Sequence, residues 1–261
     1  MKAISLNDAW FSFNGVRNDA FAVRMLSMPT RPHPARKGTY TEVPGRNGRQ
    51  WMDEDAYDQI SIPVHCMAPD NDQIDQISAW LSGSGDLIFG DEPGRVYRAN
   101  ITEEFARNNR SQLLHGQEFT VSFDCEPFRY NVNPFMDLQI YPHDPAYGDT
   151  HSKITNPGNV ESMPLIAVDL LYTDMVESGD YASISIGDKK LIFSSPESAI
   201  TVFVDCDAKI AYTGAGTDAL PEYLVTHLVG GEWITIPPGT SDVIVSGNIG
   251  SVTVRPRWRW L

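Results

Sequence analysis

Glu118-Phe119-Thr120-Val121-Ser122-Phe123-Asp124-Cys125 alternates polar and apolar side chains at every step. Successive side chains of a strand point to opposite faces, so this stretch reads as a half-buried β-strand with Phe119, Val121, Phe123 and Cys125 on its inner face. Pro127 is expected to end it. The same period runs through Tyr57-Asp58-Gln59-Ile60-Ser61-Ile62-Pro63-Val64-His65-Cys66. Asp86-Leu87-Ile88-Phe89 and Val96-Tyr97-Arg98-Ala99-Asn100-Ile101 read as two more strands, joined by the turn Asp91-Glu92-Pro93-Gly94. Near the start, Trp10-Phe11-Ser12-Phe13 runs into Asn14-Gly15, a strong hairpin signal, with Phe21–Met25 as the expected returning strand.

One segment has a helical period. Ile74, Ile77 and Leu81 recur at three and four, Asp70 and Gln73 form a capping-box-like pair before them, and Ser82-Gly83-Ser84-Gly85 stops the run. Ahead of these elements, Met28 to Gly38 carries three prolines and several cations and reads as an extended basic arm. Val43-Pro44-Gly45-Arg46-Asn47-Gly48 follows as a compact double turn exposing Arg46 and Arg49.

From Arg129 to Gly158, Pro134, Pro142, Pro145 and Pro157 interrupt the pattern, and a domain boundary is expected there. The expected division is 1–130, a Pro-rich linker at 131–158, and 159–261. The last part reads as wholly β, with strands at Leu165–Leu171, Tyr181–Ile186, Leu191–Phe193, Ala199–Val204, Lys209–Tyr212, Trp233–Ile236, Asp242–Gly247 and Ser251–Arg257. Short strands separated by Gly- and Pro-containing turns describe a sandwich.

Composition agrees. The chain has 261 residues with 20 Gly and 18 Pro, which favours a loop-rich β protein over a helical bundle. The net charge of −14 argues against a groove for duplex DNA, since that needs clustered Lys and Arg. No apolar run approaches the length of a membrane span, and the N-terminus has no continuous apolar signal segment, so no membrane insertion and synthesis in a cytoplasm are expected.

The search for chemistry yields little. Cys66, Cys125 and Cys206 are far apart and read as buried free thiols. His33, His65, His115, His143, His151 and His227 show no metal-type spacing. Asp205 and Asp207 flank Cys206 and Asp53-Glu54-Asp55 form a run, but turn-forming or solvated acids explain them better than acid–base catalysis does. Asp70 and Asp72 resemble the start of a calcium loop, yet Ile74 stands where a ligand is needed and helix capping explains them better. Tyr172, Tyr181, Tyr212, Tyr223, Trp233, Trp258 and Trp260 suit either sugar stacking or a sandwich core. No catalytic, metal-binding or cofactor-binding residue is assigned.

Taken in order, the motifs resemble the distal tail protein family of siphophages that infect Gram-positive hosts, a phage tail protein family. The resemblance is carried by Trp10-Phe11-Ser12-Phe13-Asn14-Gly15-Val16 and by Val43-Pro44-Gly45-Arg46-Asn47-Gly48. It continues in Trp80-Leu81-Ser82-Gly83-Ser84-Gly85-Asp86-Leu87-Ile88-Phe89 and in Phe119 to Pro127. In the second half it is carried by Asn156 to Ile166, and by Pro237-Pro238-Gly239 followed by Ser246-Gly247.

This resemblance implies a mainly β chain: an N-terminal β-rich ring domain with one short helix, then a C-terminal galectin-like β-sandwich. It implies a virion structural protein rather than an enzyme, without a cofactor. The implied role is a distal tail hub at the tail tip, a homo-hexameric ring that joins the tail tube to the tail-tip or tail-associated-lysin protein and lets DNA pass without binding it. The alternative is a carbohydrate-binding module that recognises host cell-wall sugars through the sandwich. For the oligomer interface, the expected residues are Val43, Pro44, Gly45, Arg46, Asn47, Gly48 and Arg49, with Arg31, Arg36 and Lys37 beside them. Cations concentrated in an acidic chain suit contacts with acidic loops such as Asp53-Glu54-Asp55.

Overall fold

The computed structural model describes residues 9–68, 74–102, 117–133, 137–142, 148–172, 182–194, 196, 198–213, 223–224 and 227–261. The chain divides into two units, residues 1–132 and 133–260, each with its own core.

In the first unit the strands are β1 (Phe11–Phe13), β2 (Val16–Arg17), β3 (Arg24–Met25), β4 (Arg36–Glu42), β5 (Arg49–Tyr57), β6 (Ile60–Ala68), β7 (Gly83–Phe89), β8 (Arg95–Ile101) and β9 (Gln117–Asn131). Seven of them form one antiparallel sheet in the order β2-β1-β7-β8-β9-β6-β3. β4 and β5 pair only with each other among the described residues. The alternation in β6 and β9 is real. Ile60, Ile62, Val64, Cys66, Phe119, Val121, Phe123 and Cys125 are buried on one face, against Phe11, Phe13, Leu87 and Phe89. Each large apolar side chain removed from water here contributes about 1.5–3 kcal/mol.

The expected helix is α1 (Ile74–Trp80), while its capping pair Asp70 and Gln73 lies outside the described residues. α1 lays Ile77 on the core. Trp80 stacks on Phe11 at 5.5 Å, and its Nε1 donates to the carbonyl of Phe13 at 3.0 Å.

Two expectations are corrected. The returning strand of the first hairpin is Val16–Arg17, reached through Asn14 (φ 52°) and Gly15 (φ 76°), the two positive φ values of a type I′ turn. Asn18–Phe21 is instead a 3-10 turn. The buried Asn18 side chain holds it, accepting from Phe11 N at 2.9 Å and donating to Val23 O at 2.7 Å. Pro127 does not end β9, which runs on to Asn131. β8 opposes β9 at Ala99↔Cys125 and again at Tyr97↔Arg129, with a register shift between. Three residues of β9 there face one of β8, and a proline without an N–H fits such a bulge.

The second unit contains β10 (Leu138–Ile140), β11 (Thr150–Asn156), β12 (Leu165–Leu170), β13 (Ala182–Ile186), β14 (Lys189–Phe193), β15 (Ile200–Asp205), β16 (Ile210–Thr213), β17 (Tyr223–Leu224), β18 (Leu228–Gly231), β19 (Gly239–Gly247) and β20 (Ile249–Arg255). They make two sheets, β10-β20-β12-β15-β16-β17 and β11-β19-β13-β14-β18. Ile166, Val168, Val202, Val204, Val252 and Val254 of the first sheet share one core with Ile184, Ile186, Leu191, Phe193, Val243 and Val245 of the second. This is a β-sandwich.

The residues read as a linker, 131–158, include β10 and β11, which pair with β20 and β19. The strands fit between the prolines, so frequent prolines do not mark free chain here. Trp233–Ile236 is not a strand. Ile234 and Ile236 are buried, but the backbone makes only an isolated bridge between Ile236 and Ser162. β20 stops at Arg255, and Arg257 (φ 54°) turns the chain beyond it.

Candidate assembly hairpin

β4 and β5 are joined by the expected turn sequence. Arg46 N donates to Val43 O at 3.1 Å and Gly45 has φ 80°, which makes Val43-Pro44-Gly45-Arg46 a type II turn. Pro44 presets its own φ, and Gly45 takes the left-handed position that a side chain would strain. Gly48 (φ 85°) brings the chain back into β5.

Register places Tyr40 opposite Trp51, and their rings meet edge to face at 4.8 Å. Glu42 faces Arg49, with Oε1 accepting from Nε at 3.1 Å. At the base, a register shift leaves Asp55 at φ 52°, and Arg36 reaches both Asp53 and Asp55 at 2.9 Å. Arg36 also lies over the Tyr57 ring at 5.3 Å, and Lys37 lies 3.9 Å from Asp58. Most of these ion pairs are well exposed and contribute little to stability.

The hairpin therefore brings together all the expected interface residues except Arg31. Arg31 is bound within its own unit, pairing with Asp91 at 2.5 Å and Glu92 at 3.3 Å and covering the Phe89 ring at 4.8 Å. The Asp53-Glu54-Asp55 run is likewise engaged locally by Arg36. Arg46 differs: it is exposed, and its guanidinium has no partner among the described residues.

Sequence reading missed the apolar part of this surface. Tyr40 is 64% exposed, Met52 56%, Trp51 40% and Val43 39%, all on one two-stranded ribbon. The available signal was two aromatic residues at similar distances either side of the Pro-Gly and Asn-Gly turns.

Elsewhere the chemistry is structural. The three cysteines are buried, and burial pushes the Cys66 and Cys125 thiols up to about 12 and the Cys206 thiol to about 11. Asp205 makes a two-pronged pair with Arg257 at 2.8 and 2.9 Å and accepts from the amides of Asp207 and Ala208. His65 pairs with Thr120 at 2.8 Å, and His227 lies 3.4 Å from the Ser194 hydroxyl. His115 and His143 lie outside the described residues, as do Tyr181 and the side chain of Tyr223. Trp258 is in the sandwich core, with Trp233 and Trp260 packed against it. Among the described residues, no group of acids, His and Cys is arranged to hold a metal, and no helix is long and apolar enough to cross a membrane.

A family model, the phage tail protein RIFT-related domain, matches residues 15–125, which span the hairpin and most of the first unit's sheet. That stretch is similar to a phage tail domain. The resemblance to a siphophage tail family is borne out over that stretch.

Among solved structures, the SPP1 Dit (gp 19.1) protein, described as a paradigm of hub adsorption apparatus in Gram-positive-infecting phages, is similar over both units. It aligns with a TM-score of 0.61 at 15% identity, covering 97% of this chain and 99% of that one. This likeness bears on the fold. Chains of the phage P2 baseplate in its activated conformation, with Ca and with Sr, align at TM-scores of 0.40 and 0.46. They are 8% and 10% identical, covering 91% and 94% of this chain and 97% of each of those. No curated protein matches the sequence.

Proposed function

We propose that the chain is a distal tail hub, a ring of six copies that joins the tail tube to the tail-tip apparatus and passes DNA. The β4–β5 hairpin would serve as the connector between subunits. The observation that carries this reading is the exposed Tyr40–Trp51 pair on one face of a ribbon that, among the described residues, pairs with no other strand. An isolated two-stranded hairpin is marginal in water, and covering its aromatic side against another chain supplies the missing burial. Contacts of this head-to-tail kind close into a ring when the rotation fits. Arg46 supplies an unsatisfied, fork-shaped donor for a carboxylate or backbone oxygen of the neighbour.

The net charge of −14 per copy suits a passage that DNA does not stick to. Light scattering is expected to show species well above the 29.0 kDa chain, with Arg46→Glu shifting them towards monomer while circular dichroism stays unchanged. A strict monomer at every concentration, alone and with the tail-tube protein, would overturn the ring.

One observation favours sugar recognition by the sandwich as a second reading. Phe203 and Tyr212 stack at 5.4 Å on the side of their sheet that faces away from the core, beside the small Ala167. A glycan array of cell-wall polysaccharides checks it.

A further inference from the structure

The chain contains two Asn-Gly sequences, Asn14-Gly15 and Asn47-Gly48, and the fold treats them in opposite ways. An Asn-Gly pair is open to a particular reaction because glycine has no side chain to shield its own amide nitrogen. Asn14 sits in the tight β1–β2 turn with its amide pinned. Its Oδ1 accepts from Asp86 N at 3.3 Å and its Nδ2 donates to Ser84 O at 3.4 Å. The Asn14 amide fills the space above Gly85 so completely that a Cβ there would lie 1.6 Å from Oδ1. Asn47 is exposed at the hairpin tip and its side chain makes no hydrogen bond among the described residues; a Cβ on Gly15 or on Gly48 would meet nothing within 4 Å, so the difference lies in the asparagine side chains.

We propose that Asn47 is a spontaneous deamidation site and that Asn14 is protected from the same reaction by the fold. The Gly48 amide nitrogen, losing its proton to solvent base, attacks Asn47 Cγ. The new C–N bond closes a five-membered imide, the Cγ–Nδ2 bond breaks, and Nδ2 leaves as ammonia. Water then opens the imide at either carbonyl, giving aspartate or isoaspartate with no net oxidation or reduction. The product puts a carboxylate beside Arg46, and the isoaspartate form adds a methylene to the backbone of the turn. The loop would thus carry a chemical clock, running in free subunits and stopped wherever the tip is covered. The reaction itself needs only exposure and does not depend on a ring.

The test is to age the folded chain in mildly alkaline buffer and follow two chymotryptic peptides, residues 14–21 and 41–51, by mass and by isoaspartate labelling. The 41–51 peptide is expected to convert faster than 14–21 by roughly tenfold or more, since Asn14 must first surrender two hydrogen bonds. In urea the two rates should converge. Asn47→Gln should remove the fast phase and leave the slow one. Equal rates in the folded chain, or no conversion at Asn47 while the urea control reacts, would overturn the proposal.

Discussion

Trp51 lies across Gly38 on the neighbouring strand, so closely that a Cβ on Gly38 would meet the indole Cζ2 at 2.4 Å and the Met52 carbonyl at 2.5 Å. The hairpin thus seats its tryptophan in a notch that only glycine leaves open. Gly38→Ala should push the ring out at a cost of about 1–3 kcal/mol, local to the ribbon. Trypsin cleavage at Arg46 or Arg49 is expected to quicken while the main melting transition holds. Unchanged cleavage would mean that the notch does not hold the hairpin.

The exposed aromatic pair leads to a different expectation. Trp51→Ala loses contacts within the ribbon only, with Tyr40 and Gly38, so the main melting transition should move little. If the ribbon is the connector between subunits, the same change should weaken self-association by about 2 kcal/mol or more. Sedimentation velocity over a concentration series reads both ends of that equilibrium.

Asn18 bridges Phe11 N and Val23 O from a buried position. Asn18→Ala leaves both backbone groups without a partner and should cost the first unit about 2 kcal/mol. Calorimetry should show that unit's transition falling while the sandwich's stays.

Asp205 gives the sandwich an acid limit. Burial works against its charge, but hydrogen bonds from Arg257 and from the amides of Ala208 and Asp207 outweigh this and hold its pKa below the usual carboxylate value. The unfolded chain therefore takes up this proton first. The stabilisation is complete above the unfolded value of about 3.9 and is lost as pH falls through the lower folded value. Asp205→Asn should destabilise the sandwich by about 1–2 kcal/mol at neutral pH, with the gap closing in acid. A gap that persists below the folded value would mean that the carboxylate charge is not the cause.

The cysteines report on each unit separately. Cys66 and Cys125 are in the first core and Cys206 in the second, all with thiols raised by burial. None should react with a thiol reagent in the native chain at mildly alkaline pH. In a denaturant series, mapping which peptides become labelled first orders the unfolding of the two units.

The core strands were legible because their periodicity is what burial on one face requires: β6 and β9 keep their alternation wherever one side meets the core. The β4–β5 ribbon was not legible as strands, because exposure on both faces removes any need to alternate, and only its Pro-Gly turn announced it. β10 and β11 were hidden by nearby prolines, which restrict their own neighbourhood but say nothing about the residues between them. Trp233–Ile236 shows the opposite failure, since Ile234 and Ile236 alternate inward without a strand partner along their length. At the candidate site, the loop residues were readable from turn chemistry. The pairing of Arg31 with Asp91 and of Arg36 with Asp53 depends on distant segments meeting, which composition cannot convey.

β9 has a mechanical consequence. Its first part is hydrogen-bonded to β6 from Gln117 to Cys125, and its last part to β8 out to Asn131. A pull along its axis loads both ladders in shear, so their hydrogen bonds must fail together rather than one after another as in peeling. One uninterrupted strand, softened only by the bulge at Pro127, thus ties the two ladders into a single tether.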